Sequence, residues 1–179
     1  MSLNQHVAEK LQICQGFLPV DMSAGANTGD WVNLKDYFRC AVVLFKAVGT
    51  NGDDPTITLS QATDVNGTNS KALSFTRVDK KQAASNLLAV GQFTTSTSTS
   101  PATHDTFTPA SGTWTNSDLA EQAAIVVIDI KAEDLDVANG FCCIQASIAD
   151  VGLNAQLGAL LYILHAPRYQ ESPLLSAIV

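Results

Sequence analysis

The sequence predicts an all-β protein, an antiparallel β-sandwich or jelly roll with a short N-terminal helix or arm. Three observations carry this. Six or more segments rich in Val, Ile, Leu, Phe and Thr carry strand patterning. Turn residues (Gly, Asn, Asp and Pro) separate them. Only the N-terminus has helical periodicity, and no repeat of about 20–50 residues is visible, which sets aside solenoids and propellers. The chain has 179 residues, 46% of them hydrophobic. A chain of this size buries about 70% of the surface its unfolded form exposes, enough for a core without staples. The division expected is an arm or short helix over residues 1–16, a sandwich over 17–170 and an apolar tail over 171–179.

The elements follow in order. Leu3, Val7 and Leu11 recur at a spacing of four, giving one apolar stripe on a helix that Gly16 stops. So short a helix is marginal alone and needs a surface, its own domain or a neighbouring subunit. Residues 18–34 read as a polar loop. "YFRCAVVLFKAV" (37–48) is apolar on both alternating faces, which suits a central strand covered on both sides. "TITLSQAT" (56–63) places Ile57 and Leu59 on one face. "ALSFTRVDKKQ" (72–82) alternates less cleanly. "TTSTSTS" (94–100) is a hydroxyl run, read as a flexible loop or an extended arm pairing with another chain. "EQAAIVVIDIKAEDL" sets Val126, Ile128 and Ile130 on one face, and "FCCIQASIADV" turns Cys142, Ile144, Ala146 and Ile148 inward. "AQLGALLYILHAPRY" (155–169) is apolar on both faces and ends at Pro167. The tail is apolar.

Composition narrows the function. Ten Lys and Arg against seventeen Asp and Glu give a net charge of -7, which repels nucleic acid and anionic membranes. No run of about 18 apolar residues spans a membrane, and the N-terminus lacks the basic start and apolar block of a secretory signal. Cys14, Cys40, Cys142 and Cys143 lack zinc spacing and read as reduced, buried thiols. On a strand, the neighbours Cys142 and Cys143 point to opposite faces.

"GTNGDDP" (49–55) has no Lys, sets Asp53 and Asp54 where an anion would sit, and precedes a strand, so it is not a phosphate loop. Asn51, Asp53 and Asp54, like Asp64, Asn66 and Asn69 in "DVNGTN", offer oxygens without calcium-loop spacing. Asn-Gly in both loops marks turns. His104 beside Asp105 lies among hydroxyls without a nucleophile elbow, and His165 ends a strand. Glu133, Asp134 and Asp136 read as a solvated turn. No catalytic residue, cofactor or metal is expected. Trp31, Tyr37, Trp114, Tyr162 and Tyr169 could stack on sugars, but aromatics in a sandwich more often fill the core.

Four blocks carry a resemblance: "LPVDMSAGANTGDWVNLKDY", "VVLFKAVGTNGDDPTITLSQATDV", "KALSFTRV" and "DVGLNAQLGALLYILHAPRY". Over roughly residues 17–169 they resemble a family of small virion proteins of tailed bacteriophages, often encoded near the major capsid protein. The resemblance implies a head decoration (cement) protein. It would be assembled in the host cytoplasm, placed on the capsid exterior and partnered by the major capsid protein. Virion parts assemble symmetrically, so a closed homo-oligomer is expected, a trimer first. The alternatives are a head-spike base, a vertex or connector component, or a carbohydrate-binding module for host attachment. Both termini are apolar, so Leu3, Val7, Leu11, Leu174, Leu175, Ile178 and Val179 are the expected inter-subunit contacts.

Overall fold

A computed structural model describes residues 6–169 and 173–178. In chain order its strands are β1 (Leu11–Asp21), β2 (Asn27–Thr28), β3 (Val32–Asn33), β4 (Tyr37–Lys46), β5 (Thr56–Ala62), β6 (Lys71–Ala72), β7 (Arg77–Ala83), β8 (Thr94–Thr97), β9 (Asp105–Thr108), β10 (Thr113–Asn116), β11 (Ala123–Lys131), β12 (Cys143–Ile148) and β13 (Leu157–Pro167). They form two antiparallel sheets packed face to face, the β-sandwich that the sequence predicts. The first sheet runs β1-β13-β4-β11-β7-β8. The second runs β2-β12-β5-β10-β9, with β3 also on β12 and β6 on β5.

The core follows from alternation. Cys40, Val42 and Leu44 of β4, Val126, Ile128 and Ile130 of β11, and Leu160, Tyr162 and Leu164 of β13 point inward. They belong to one cluster with Ile57 and Leu59 of β5, Trp114 of β10, and Ile144, Ala146 and Ile148 of β12. A polar contact crosses the middle of this core. Tyr162 reaches from β13 and its hydroxyl accepts the Ala146 backbone N–H at 2.8 Å. That N–H faces the gap between β2 and β3, where β12 has no ladder partner for it. Lys46, also buried, donates from Nζ to the carbonyls of Leu119 at 2.5 Å and Gln122 at 2.6 Å.

Several expectations are corrected. The N-terminal helix is absent from the described residues. Val7–Glu9 make one 3-10 turn, and Leu11 then opens β1. Gly16 is no helix stop. It lies in β1, where an added Cβ would stand 2.1 Å from Leu160 Cδ2, so the strands approach too closely for any side chain. The hydroxyl run is not a loose loop: Thr94–Thr97 form β8, the edge strand of the first sheet, paired with β7 of the same chain, with Ser96 of the run buried. Cys142 lies just before β12, where alternation does not apply, so its sulfur stands 3.7 Å from that of Cys143. The four cysteines are free thiols.

The two strands apolar on both faces are covered on one face only. β4 and β13 are central in the first sheet, yet their outer side chains remain open or partly open. Among the described residues, no helix is long and apolar enough to cross a membrane.

Candidate functional site

The outer face of the first sheet is the most distinctive surface of the molecule. Strand register places its residues in rows. Ile13, Ile163 and Ala41 stand side by side on β1, β13 and β4. The next row is Gln15, Leu161, Val43 and Val127, and the next is Ala159, Phe45 and Ile125. Cross-strand neighbours on one face sit about 5 Å apart, so these rows make one continuous apolar patch. Ile13 is 55% exposed, Phe45 58% and Leu161 42%. Charges lie at the margins. At one end Asp129 pairs with Arg39 at 2.5 Å and with His165 at 3.4 Å. On the β7 side stand Lys81 and the Arg77–Asp79 pair at 2.9 Å. Counting four well-exposed side chains (Leu157 included) and six partly exposed ones gives on the order of 500 Å² of apolar surface, within the range of functional patches.

Two features flank the patch. β1 is an edge strand of eleven residues, but bulges at Gln15/Phe17 and Phe17/Val20, with Pro19, break its edge and discourage indiscriminate pairing. Past the Asp129 end lies an open depression of about 590 Å³ lined by Phe38, Arg39, Lys131, Glu133, Val137 and Arg168. Arg168 covers the Phe38 ring at 4.4 Å, and Lys131 pairs with Glu133 at 3.2 Å.

The predicted terminal contacts divide. Val7, Leu175 and Ile178 are exposed, and Leu11 is partly buried at the start of β1. Leu174 is buried in its own chain, because the C-terminal segment folds back onto the sandwich. Tyr37 donates its hydroxyl to the Leu175 carbonyl at 2.5 Å, and Asn33 N–H donates to the Ala177 carbonyl at 2.7 Å. Leu3 and Val179 lie outside the described residues.

The acidic loops spend their oxygens locally. Asp53 accepts from Asn154, and Asp54 accepts the Ala120 N–H. Asp64 accepts from the Thr68 and Asn66 backbones, and hydrogen bonding to Thr68, through its side chain first and then its backbone, holds the carboxyl below the usual range. Gly52 at φ 89° and Gly67 at φ 78° make both loops turns. Asp136 is held by Lys71 and Asn139, and Asp134 accepts the Lys131 N–H.

His104 faces Ser117 Oγ at 3.1 Å and Asp118 at 3.6 Å, both through Nδ1. A relay needs its serine and its aspartate on different ring nitrogens, so this is not triad geometry. Tyr37, Trp114 and Tyr162 are buried and cannot stack on a ligand, and Trp31 packs on the Gly67 turn.

Sequence reasoning missed the outer face, although its signal was present. Two strands apolar on both faces need two covering layers, and a chain with at most one short helix has nothing to supply the second. Compared with protein-family models, curated proteins and solved structures, the chain matches none.

Proposed function

We propose that this chain is a structural assembly protein without enzymatic activity, a head decoration (cement) protein of a tailed bacteriophage. In this reading it binds further copies of itself and clamps subunits of the major capsid protein from the shell exterior. The observation that carries the assembly reading is the uncovered apolar face of β1, β13, β4 and β11, with charge confined to its margins. The virion setting rests on the resemblance of the four sequence blocks.

The occupant proposed for the patch is a second copy of the chain. The patch supplies more than half of one side of a standard interface of about 800 Å² per partner. Sheets stack face to face about 10 Å apart, so a matching sheet suits a flat face better than a side chain in a groove. The exposed Val7, Leu175 and Ile178 are then free to meet the shell. Stacking the same face of two copies is an isologous contact and gives a two-fold pair; a closed ring, with a trimer first, would need the patch to meet a different surface of its neighbour. The net charge of -7 suits a place outside the shell, away from packaged DNA.

Sedimentation of the full chain tests the self-association. Wild type is expected to associate, and Phe45→Asp with Leu161→Asp to give a folded monomer with unchanged circular dichroism. A wild type that stays monomeric, or a double variant that assembles normally, would refute it.

A further inference from the structure

A buried polar cluster lies between the sheets near one edge, and the assembly reading does not use it. Lys80 points inward from β7 of the first sheet with 4% of its side chain exposed. Asp105 of β9 and Asn116 of β10 are directly opposed cross-strand partners in the second sheet. Both of their side chains are fully buried. A single oxygen, Asp105 Oδ1, accepts from Lys80 Nζ at 2.5 Å and from Asn116 Nδ2 at 2.8 Å. The Asn116 carbonyl oxygen accepts the Asp118 backbone N–H at 3.1 Å. The Trp114 ring stands 5.6 Å from Nζ and helps to keep water out. Two atoms there lack partners, Asp105 Oδ2 and Trp114 Nε1.

As a salt bridge this cluster is poorly built. Burying an ion pair stabilises only when its remaining lone pairs are satisfied, and Oδ2 is not. As a reaction centre it holds the groups needed, with Lys80 and Asn116 both in contact with the same Asp105 oxygen. It holds a primary amine as nucleophile, a carboxamide as acyl group, a carboxylate touching both nitrogens, and an N–H on the oxygen where negative charge would develop. Folding alone brings these groups together, since Lys80 and Asn116 come from opposite sheets.

We propose that Lys80 and Asn116 form an intramolecular amide cross-link, with Asp105 as the proton carrier. Asp105 takes a proton from the Lys80 ammonium. The freed amine attacks Asn116 Cγ, and the Asp118 N–H stabilises the oxyanion on Oδ1. Asp105 passes the proton to Nδ2 and the Cγ–Nδ2 bond breaks, releasing ammonia; Asp105 then takes the second proton from the former Lys80 amine nitrogen and hands it to the ammonia, leaving a neutral amide with one N–H. One C–N bond forms and one breaks, nothing is oxidised or reduced, and the Lys80 charge departs as ammonium. The product ties β7 to β10 covalently and joins the two sheets. It also removes a buried cation, and it suits a part that must resist force. The inference stands independently of the virion reading.

The test is the intact mass of the full chain, purified and then denatured. The expected mass is lighter than the sequence by one ammonia. Trypsin should release a branched peptide joining residues 78–81 to residues 82–131, with Lys80 uncut. A succinimide at an Asn-Gly pair loses the same mass but gives no branched peptide. Lys80→Arg and Asp105→Asn should keep the full mass. The wild-type measurement decides the matter even where a variant fails to fold. A folded wild type of full mass without the branched peptide would overturn the proposal. Loss of water, with the branch at Asp105, would overturn the assignment of Asn116.

Discussion

Removing one oxygen from the centre of the sandwich, by Tyr162→Phe, has a calculable cost. The Tyr162 hydroxyl is the partner of the Ala146 N–H, at 2.8 Å in a fully buried setting. β12 cannot satisfy that N–H through its neighbours, because β2 pairs at Ser147 and Ile148 while β3 pairs at Cys143 and Ile144. The intervening chain gives Ala146 only a donor, the Gly29 N–H, which reaches its carbonyl at 2.9 Å. The Phe ring keeps the apolar packing and leaves the N–H orphaned. An orphaned buried donor costs about 1–3 kcal/mol. For a chain of this length that lowers Tm by about 2–4 °C per kcal/mol, so a fall of about 4–8 °C is expected for the central value. Thermal unfolding followed by circular dichroism, with hydrogen exchange at the Ala146 amide, measures both consequences. A Tm within about 1 °C of wild type, with Ala146 still protected, would refute the reasoning.

Other outcomes follow from the same contacts. Gly29→Ala would set a Cβ 2.6 Å from the Tyr162 hydroxyl. It should destabilise wild type more than the Tyr162→Phe background, with a coupling of about 0.5–3 kcal/mol in a double-mutant cycle. Gly16→Ala meets Leu160 at 2.1 Å and should cost about 1–3 kcal/mol in urea unfolding, eased when Leu160→Ala is made with it. Burial pushes the Cys143 thiol from 9.0 up to about 12, so between those values the unfolded chain gives up a proton that the folded chain keeps. Stability therefore falls as pH rises through that window, and Cys143→Ala should flatten the decline. Lys46 acts with the opposite sign. Burial lowers its ammonium from 10.5 to about 8, so its cost is full below about 8 and is relieved as pH rises to 10.5. In Lys46→Met that relief should be missing from the stability profile.

Much of the fold was legible because strand alternation is local. Ile57 and Leu59, or Val126, Ile128 and Ile130, declare an inner face without reference to anything distant. The rest was not legible, in each case because its cause is non-local. The stripe Leu3, Val7 and Leu11 has helical spacing, yet Leu11 joins a strand because β13 offers it a partner at His165. The hydroxyl run looked loose, yet β7 supplies its ladder. The open face of β4 and β13 could be recognised only by asking what would cover it. The cross-link cluster was harder still. Asp105 stands beside His104 in sequence, but the two side chains diverge, and its partners Lys80 and Asn116 arrive from β7 and β10. The terminal contacts were legible as apolar ends, but not that Leu174 would be held by its own domain.

The assembly account makes one demand above the others, that this chain be an abundant part of a particle. Quantitative mass spectrometry of purified virions, with the major shell protein as internal standard, measures that directly. The account predicts copy numbers comparable to the shell protein. Much lower abundance would move the chain to a vertex, spike base or connector, and absence from the particle would contradict the account.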